Sequence, residues 1–291
     1  MPLDIVRISA TSSPAPGVRV QPTLTKLVDT STCIGCKACE VACQEWNDLP
    51  PEPTVQSGTY QTLPATTANF WNLIKFNEYE DEGRGALEWL MRKDQCMHCA
   101  EPGCLIACPA PGAIVQYSNG IVDFQQDHCI ACGYCITGCP FDVPKFNPGT
   151  RRVYKCTLCV DRVSVGLQPA CVKACPTSCL QFGTKEDMLE VANTRVGQLQ
   201  ANGFAQAAVY DPQGVGGTSV ITVLTHGDRP ELYGLPKDPH IPAAVRLWKG
   251  PLKWLGNVAM AGGLAAAVVH FVRFGRKNHV EADESSAEGR S

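Results

Sequence analysis

The sequence predicts an α+β fold: two four-cysteine-motif units, one nested inside the other in sequence, and a single C-terminal transmembrane helix. Three observations carry this. Sixteen of the 17 cysteines fall into four tight groups. Between the second and third groups, an Asn119-Gly120 turn joins two short apolar runs, which is the signature of a β-hairpin. Near the C-terminus, residues 254–272 contain no charged side chain. The 291 residues give room for two small domains, or one elaborated by insertions. With 44% hydrophobic and 18% charged residues the chain is globular rather than disordered. A formal net charge of -3 gives no electrostatic reason to bind nucleic acid. A chain this long does not need disulfide staples, so so many cysteines point to metal.

The elements follow in order. Residues 1–27 read as an irregular arm, with the run Ser9-Ala10-Thr11-Ser12-Ser13-Pro14-Ala15-Pro16-Gly17 and no apolar run suited to a signal peptide. An outer unit takes residues 28–91 and 150–184, and an inner unit takes 92–149. Residues 50–69, rich in Pro and Thr, read as a loop leading to a strand at about 70–76. Residues 185–247 form an additional α/β segment. In it, Met188, Leu189, Val191, Ala192, Val196 and Leu199 mark an amphipathic helix from 185 to about 200, and 220–224 reads as a strand. Gly214-Val215-Gly216-Gly217 lacks the full dinucleotide pattern and reads as a turn. Residues 248–277 are a membrane anchor with its flanks, and 278–291 a polar tail.

The first cysteine group is Cys33, Cys36, Cys39 and Cys43. The second is Cys96, Cys99, Cys104 and Cys108, the third Cys129, Cys132, Cys135 and Cys139, and the fourth Cys156, Cys159, Cys171 and Cys175. The third reproduces the bacterial ferredoxin run C-x2-C-x2-C-x3-C-P with Pro140. The first has the same spacing, with Gln44 in place of proline. The second widens the gap before its third cysteine with Ala100-Glu101-Pro102-Gly103, and the fourth places eleven residues between Cys159 and Cys171. Cysteines two residues apart, with Gly35, Ala131 or Gly133 between them, let a loop wrap a cubane and aim N–H groups at its sulfurs. Such hydrogen bonds raise the reduction potential. The fourth cysteine lies about one helical turn beyond the third and points elsewhere. In two-cluster ferredoxins it binds the other cluster. Sixteen thiolates therefore match four [4Fe–4S] clusters.

Groups two and three, joined by the hairpin at 112–124, form one ferredoxin-like unit, which leaves groups one and four to pair around it. The expected ligand sets are Cys33, Cys36, Cys39 and Cys175 (set one) and Cys43, Cys156, Cys159 and Cys171 (set two). Within the inner unit they are Cys96, Cys99, Cys104 and Cys139 (set three) and Cys108, Cys129, Cys132 and Cys135 (set four). Zinc ribbons use two C-x2-C pairs per ion, not the ferredoxin run, and cysteines two apart rarely meet disulfide geometry. Cys179 reads as a buried free thiol. His98 and His128 adjoin ligand cysteines, but the thiolate count is already complete, so both read as supporting residues. No catalytic constellation is evident.

As a helix, residues 254–272 extend about 28 Å, enough to cross a bilayer core. Trp248 and Trp254 suit one interface, and small residues such as Gly262, Gly263 and Ala266 suit packing against other helices. Arg246, Lys249 and Lys253 before the span balance Arg273, Arg276 and Lys277 after it, so charge leaves the orientation open. His270, near the helix end, reads as a hydrogen-bonding or interface residue rather than a haem ligand.

Residues 31–39 (Ser-Thr-Cys-Ile-Gly-Cys-Lys-Ala-Cys), 88–99 (Glu-Trp-Leu-Met-Arg-Lys-Asp-Gln-Cys-Met-His-Cys), 154–162 (Tyr-Lys-Cys-Thr-Leu-Cys-Val-Asp-Arg), 214–218 and 235–239 resemble the iron–sulfur (beta) subunit of respiratory membrane-bound formate dehydrogenase. The resemblance covers roughly residues 25–275. It implies an electron-transfer subunit, not itself catalytic. A catalytic alpha subunit would oxidise formate at a molybdenum or tungsten bis-pterin centre, and a cytochrome b gamma subunit would pass electrons to quinone. It implies the same crossed ligand sets, a single pass through the bacterial inner membrane, a soluble part on the periplasmic side, and export on the alpha subunit's twin-arginine signal. Cys179 departs from it, standing where a small non-cysteine residue is usual. The cysteine motifs are shared with four-cluster subunits of other molybdoenzymes and hydrogenases, which form the alternative reading.

Overall fold

The structure, a computed structural model, describes residues 3–11, 21–54, 56, 58–81 and 85–275. The chain forms two compact units, Met1–Pro242 and Ala243–Ser291. Along the first, β1 (Ile5–Ile8) and β2 (Leu24–Asp29) lead to the first cysteine group and α1 (Ala38–Trp46). A long hairpin, β3 (Leu73–Asp81) and β4 (Ala86–Asp94), delivers the second group and α2 (Gly103–Ala107). The hairpin β5 (Ile114–Tyr117) and β6 (Val122–Phe124) precedes the third group and α3 (Tyr134–Thr137). A further hairpin, β7 (Lys145–Asn147) and β8 (Arg152–Tyr154), ends at the fourth group, which spans α4 (Val160–Ser164) and α5 (Ala170–Lys173). After these come β9 (Leu180–Thr184), α6 (Lys185–Ala201), β10 (Ala208–Tyr210) and β11 (Val220–Leu224).

The central layer is a four-stranded sheet in the order β10-β11-β2-β9, with β11 parallel to β2 and the other pairs antiparallel. Alternation along β2 gives the sheet two faces. Leu27 joins Ile221 and Val223 under Met188, Ala192 and Leu199 of α6. Val28, Val220 and Leu180 pack on the opposite side with Cys39, Cys171 and Cys179. α6 begins where the Thr184 hydroxyl accepts a hydrogen bond from the Asp187 N–H at 3.2 Å, an N-cap worth about 1 kcal/mol. Its apolar stripe covers the sheet as the sequence periodicity expects.

One expectation changes. The sequence places 1–27 in an irregular arm, but β1 pairs antiparallel with β5, and β2 sits inside the central sheet. Ser9, fully buried, ties the arm down by donating to the Ala110 carbonyl at 2.6 Å and accepting from the Ile114 N–H at 3.0 Å. Of the run 9–17 used for that expectation, residues 12–17 lie outside the described residues. Residues 185–247, expected as an additional α/β segment, extend the same unit: β10 and β11 share one sheet with β2 and β9, and the compact unit continues to Pro242. The strand expected at about 70–76 begins at Leu73 and continues to Asp81.

The second unit carries one helix, Ala243–Gly275, long and apolar enough to cross a membrane. It starts before the expected anchor at 248. Gly250 leaves helical geometry (φ -101°, ψ -106°) beside Pro251, which has no N–H to donate, and the helix is locally widened there. Leu255, Val258, Met260, Leu264, Val268 and Val269 are all exposed, an arrangement that water does not stabilise and lipid does. His270 lies against the Phe274 ring, centroids 5.2 Å apart. The expected tail, 278–291, lies outside the described residues.

Candidate functional site

Each cysteine group is shaped by the same backbone device. The second residue after the first cysteine is left-handed in all four: Gly35 (φ +63°), His98 (+48°), Ala131 (+62°) and Leu158 (+53°). This turn folds the N–H of that residue back toward the sulfur. His98 and Leu158 donate to Cys96 and Cys156 Sγ, each at 3.4 Å, and Gly35 does the same for Cys33. For a side-chain-bearing residue this conformation costs roughly 1–2 kcal/mol, so the loops hold it against local preference. At Gly35 there is no room for an alternative, since an added Cβ would lie 2.5 Å from the Phe76 ring.

The short helices then separate the cysteines. α1 carries Cys39 and Cys43 one turn apart, and α5 carries Cys171 with Cys175 just beyond its end. α1 packs on α5, which brings groups one and four together. One void is lined by Cys33, Cys36, Cys39 and Cys175, together with Lys93 and Cys179. A second is lined by Cys43, Cys156, Cys159 and Cys171, with Lys26, Asn72 and Gln95. The cysteines expected for sets one and two thus line these two voids, with Cys179 as a fifth cysteine on the first. Trp46 at the end of α1 fastens the pair by donating to Asp161 at 2.7 Å and lying under Arg162 at 4.1 Å.

In the inner pair, α2 packs directly on α3. A Cβ on Gly103 would come within 2.2 Å of the Gly138 carbonyl oxygen, so the two backbones meet where only hydrogen fits. Burial pushes the Cys104 thiol well up, and Cys139, Cys96 and Cys99 add repulsion. Burial likewise drives Cys135 to about 12, with Cys108, Cys129 and Cys132 facing it. Cys96, Cys99 and Cys139 thus lie about Cys104, and Cys108, Cys129 and Cys132 about Cys135. The Gly-rich turn at 214–217 clasps the group-two loop: Ala100 N–H donates to Gly217 O at 2.9 Å and Glu101 N–H to Val215 O at 2.8 Å. It acts as a turn.

The expected sets adjoin in the order one, two, three, four. Sets one and two share α1 and α5, and sets three and four share α2 and α3. Sets two and three adjoin where Cys96 and Cys156 repel each other, next to Lys155. Cys36 and Cys132, in the two end sets, are exposed, whereas every cysteine of the middle sets is buried or half-buried. Among the described residues no three His, Cys, Asp or Glu side chains converge closely enough to hold a single metal ion.

Electrostatics follow from burial. It pushes Cys43 and Cys159 up to about 12, reinforced for Cys43 by the thiols across its void. Burial also raises Cys171, but Lys26 and Lys93 outweigh it and leave that thiol below its usual range, with Lys26 Nζ 3.5 Å from its sulfur. Cys33 drops to about 6, chiefly because the Cys179 S–H donates to it, while that same bond and burial raise Cys179. His98, also fully buried, is held neutral by burial and by Lys155 and Lys26. Its Nδ1 accepts from the Val122 N–H at 3.1 Å, pinning the β5–β6 hairpin to the loop. His128 is exposed. Sequence reasoning missed the buried cations Lys26, Lys93 and Lys155. The signal available for them was a lysine inside or beside an otherwise strand-like run close to a cysteine group.

Residues 87–185 and 32–113 each match a 4Fe-4S dicluster domain family, and residues 241–284 match the family described as formate dehydrogenase N, transmembrane. The chain is 57% identical over 277 residues to the formate dehydrogenase iron-sulfur subunit of Haemophilus influenzae, covering 94% of this chain and 88% of that protein. It is 54% identical over 285 residues to the nitrate-inducible formate dehydrogenase iron-sulfur subunit of Escherichia coli, covering 97% and 96%. Formate dehydrogenase 2 subunit beta (cytochrome c-553) of Nitratidesulfovibrio vulgaris is 35% identical over 205 residues, covering 68% and 91%.

Proposed function

Since the chain belongs to the family of formate dehydrogenase iron–sulfur subunits, we propose that it conducts electrons from a formate-oxidising subunit, through four [4Fe–4S] clusters, to a cytochrome b subunit and quinone. The formate-oxidising partner would carry a molybdenum or tungsten bis-pterin centre. This chain would cross the bacterial inner membrane once, with Met1–Pro242 on the periplasmic side.

The observation that carries the reading is that two voids are lined by cysteines drawn from distant parts of the sequence, Cys33, Cys36, Cys39 and Cys175 with Cys179 at one and Cys43, Cys156, Cys159 and Cys171 at the other. The donor sets fit a cubane. Four thiols facing one void repel one another as thiolates, a conflict that four bound irons remove. Bound there, [4Fe–4S] clusters supply one-electron uptake and release. Ligation is assigned to Cys33, Cys36, Cys39 and Cys175; to Cys43, Cys156, Cys159 and Cys171; to Cys96, Cys99, Cys104 and Cys139; and to Cys108, Cys129, Cys132 and Cys135.

The chain's own residues do three things. The left-handed turns at Gly35, His98 and Leu158 present N–H donors to sulfur, which favours the reduced state. Core residues such as Leu158 (1% exposed) and Met97 (4%) exclude water from the interior of the line. At its ends, exposed Cys36 and Cys132 bring sets one and four to the surface, where electrons enter and leave. The test is formate titration of the purified complex followed by electron paramagnetic resonance. Formate-reducible [4Fe–4S] signals support the reading. Intact clusters that formate never reduces would overturn it.

A further inference from the structure

Lys93 lies on β4 and is 5% exposed. Its side chain lines the void of set one. Its ammonium donates to the Asn72 side-chain oxygen, and Asn72, itself 2% exposed, lines the void of set two. The ammonium thus stands between the two voids. Asn72 is neutral, and the charges that act most strongly on Lys93 are Cys39 of set one and Cys171, Cys43 and Cys156 of set two. A buried cation is costly unless negative charge surrounds it. Here that charge is the thiolates of both sets.

We propose that Lys93 is a fixed positive charge shared by sets one and two that raises the reduction potentials of both centres together. This rests on the reading that both sets hold [4Fe–4S] clusters. Reduction adds one electron to a cluster already negative with four thiolates. A nearby cation stabilises the added charge, more strongly in a dry interior than in water. No proton moves in the step, because the ammonium keeps its own. One charge acting on two neighbours shifts them in the same direction, so both midpoints move while the step between them changes little.

The test places Lys93→Met, Lys93→Arg and Asn72→Asp separately in the full chain within its anaerobically purified complex. Iron per chain is measured, and component midpoints are resolved by a redox titration followed by electron paramagnetic resonance. Lys93→Met removes the charge, and Asn72→Asp cancels it from the other side. Each is expected to retain iron and to lower two of the four midpoints. The reduction equilibrium of each should weaken by about tenfold or more, roughly 59 mV per tenfold for a one-electron couple. The other two midpoints stay in place, and Lys93→Arg stays near the parent. Unchanged midpoints at full iron, or an equal fall in all four, would overturn the proposal. So would loss of iron from both charge-altering variants, which would make Lys93 a structural residue. A parent chain that itself lacks clusters would instead remove the functional reading.

Discussion

At the residue scale, sulfur position is set by backbone turns that few residues adopt willingly. Gly35 was legible from its place between cysteines, but His98 and Leu158 were not, because nothing in their chemistry announces a left-handed φ. Gly35→Ala combines a strained φ with a clash against Phe76 and Met91. It should cost about 2–5 kcal/mol from strain and overpacking, seen as a lowered melting temperature and loss of iron from set one. Cys179 offers a sharper contrast. It lines the void of set one with its neighbours, yet its thiol donates to Cys33 and sits outside the sixteen assigned ligands. Cys36→Ser is therefore expected to remove about four irons per chain. Cys179→Ser should keep all of them and only shift the midpoint of that centre. Iron analysis separates the two outcomes.

At the scale of elements, the cysteine spacing anticipated the short helices that part each third and fourth cysteine, and the Asn119-Gly120 hairpin formed as read. The strands nearest the cysteines were harder to see. β2 was lost in the arm because Lys26, fully buried at its centre, breaks the apolar pattern that marks an interior strand. β4 was hidden for the same reason, with Arg92 and Lys93 both buried. Lys26 and Lys93 are tolerated inside because sulfur lies against them, and Arg92 because it pairs with Asp94 at 3.1 Å; the sulfur contacts are a fact of three-dimensional neighbourhood that no local window contains. The α2–α3 contact has its own weak point. Gly103→Ala would force the Gly138 backbone away, at a cost of about 1–3 kcal/mol. It should lower the iron content of sets three and four while leaving sets one and two filled. Spectroscopic counting of the remaining centres checks this.

At the scale of the whole molecule, a wire unit and a separate apolar helix divide the labour. The helix was legible from composition, although its earlier start at Ala243 was obscured by Pro251, which normally ends a helix rather than sitting inside one. Deleting residues 243–291 should release the chain from membranes washed with alkaline carbonate, whereas the full chain stays bound. Continued membrane retention of the shortened chain would show that the helix is not the anchor. The claim beneath all of this is that sixteen thiols, gathered from four stretches of sequence, hold four cubanes in a row. Iron and acid-labile sulfide, measured per chain on protein prepared without oxygen, test it most directly. About sixteen of each are expected. A chain with full thiol content that carries only about half as much, or carries zinc without sulfide, would contradict it.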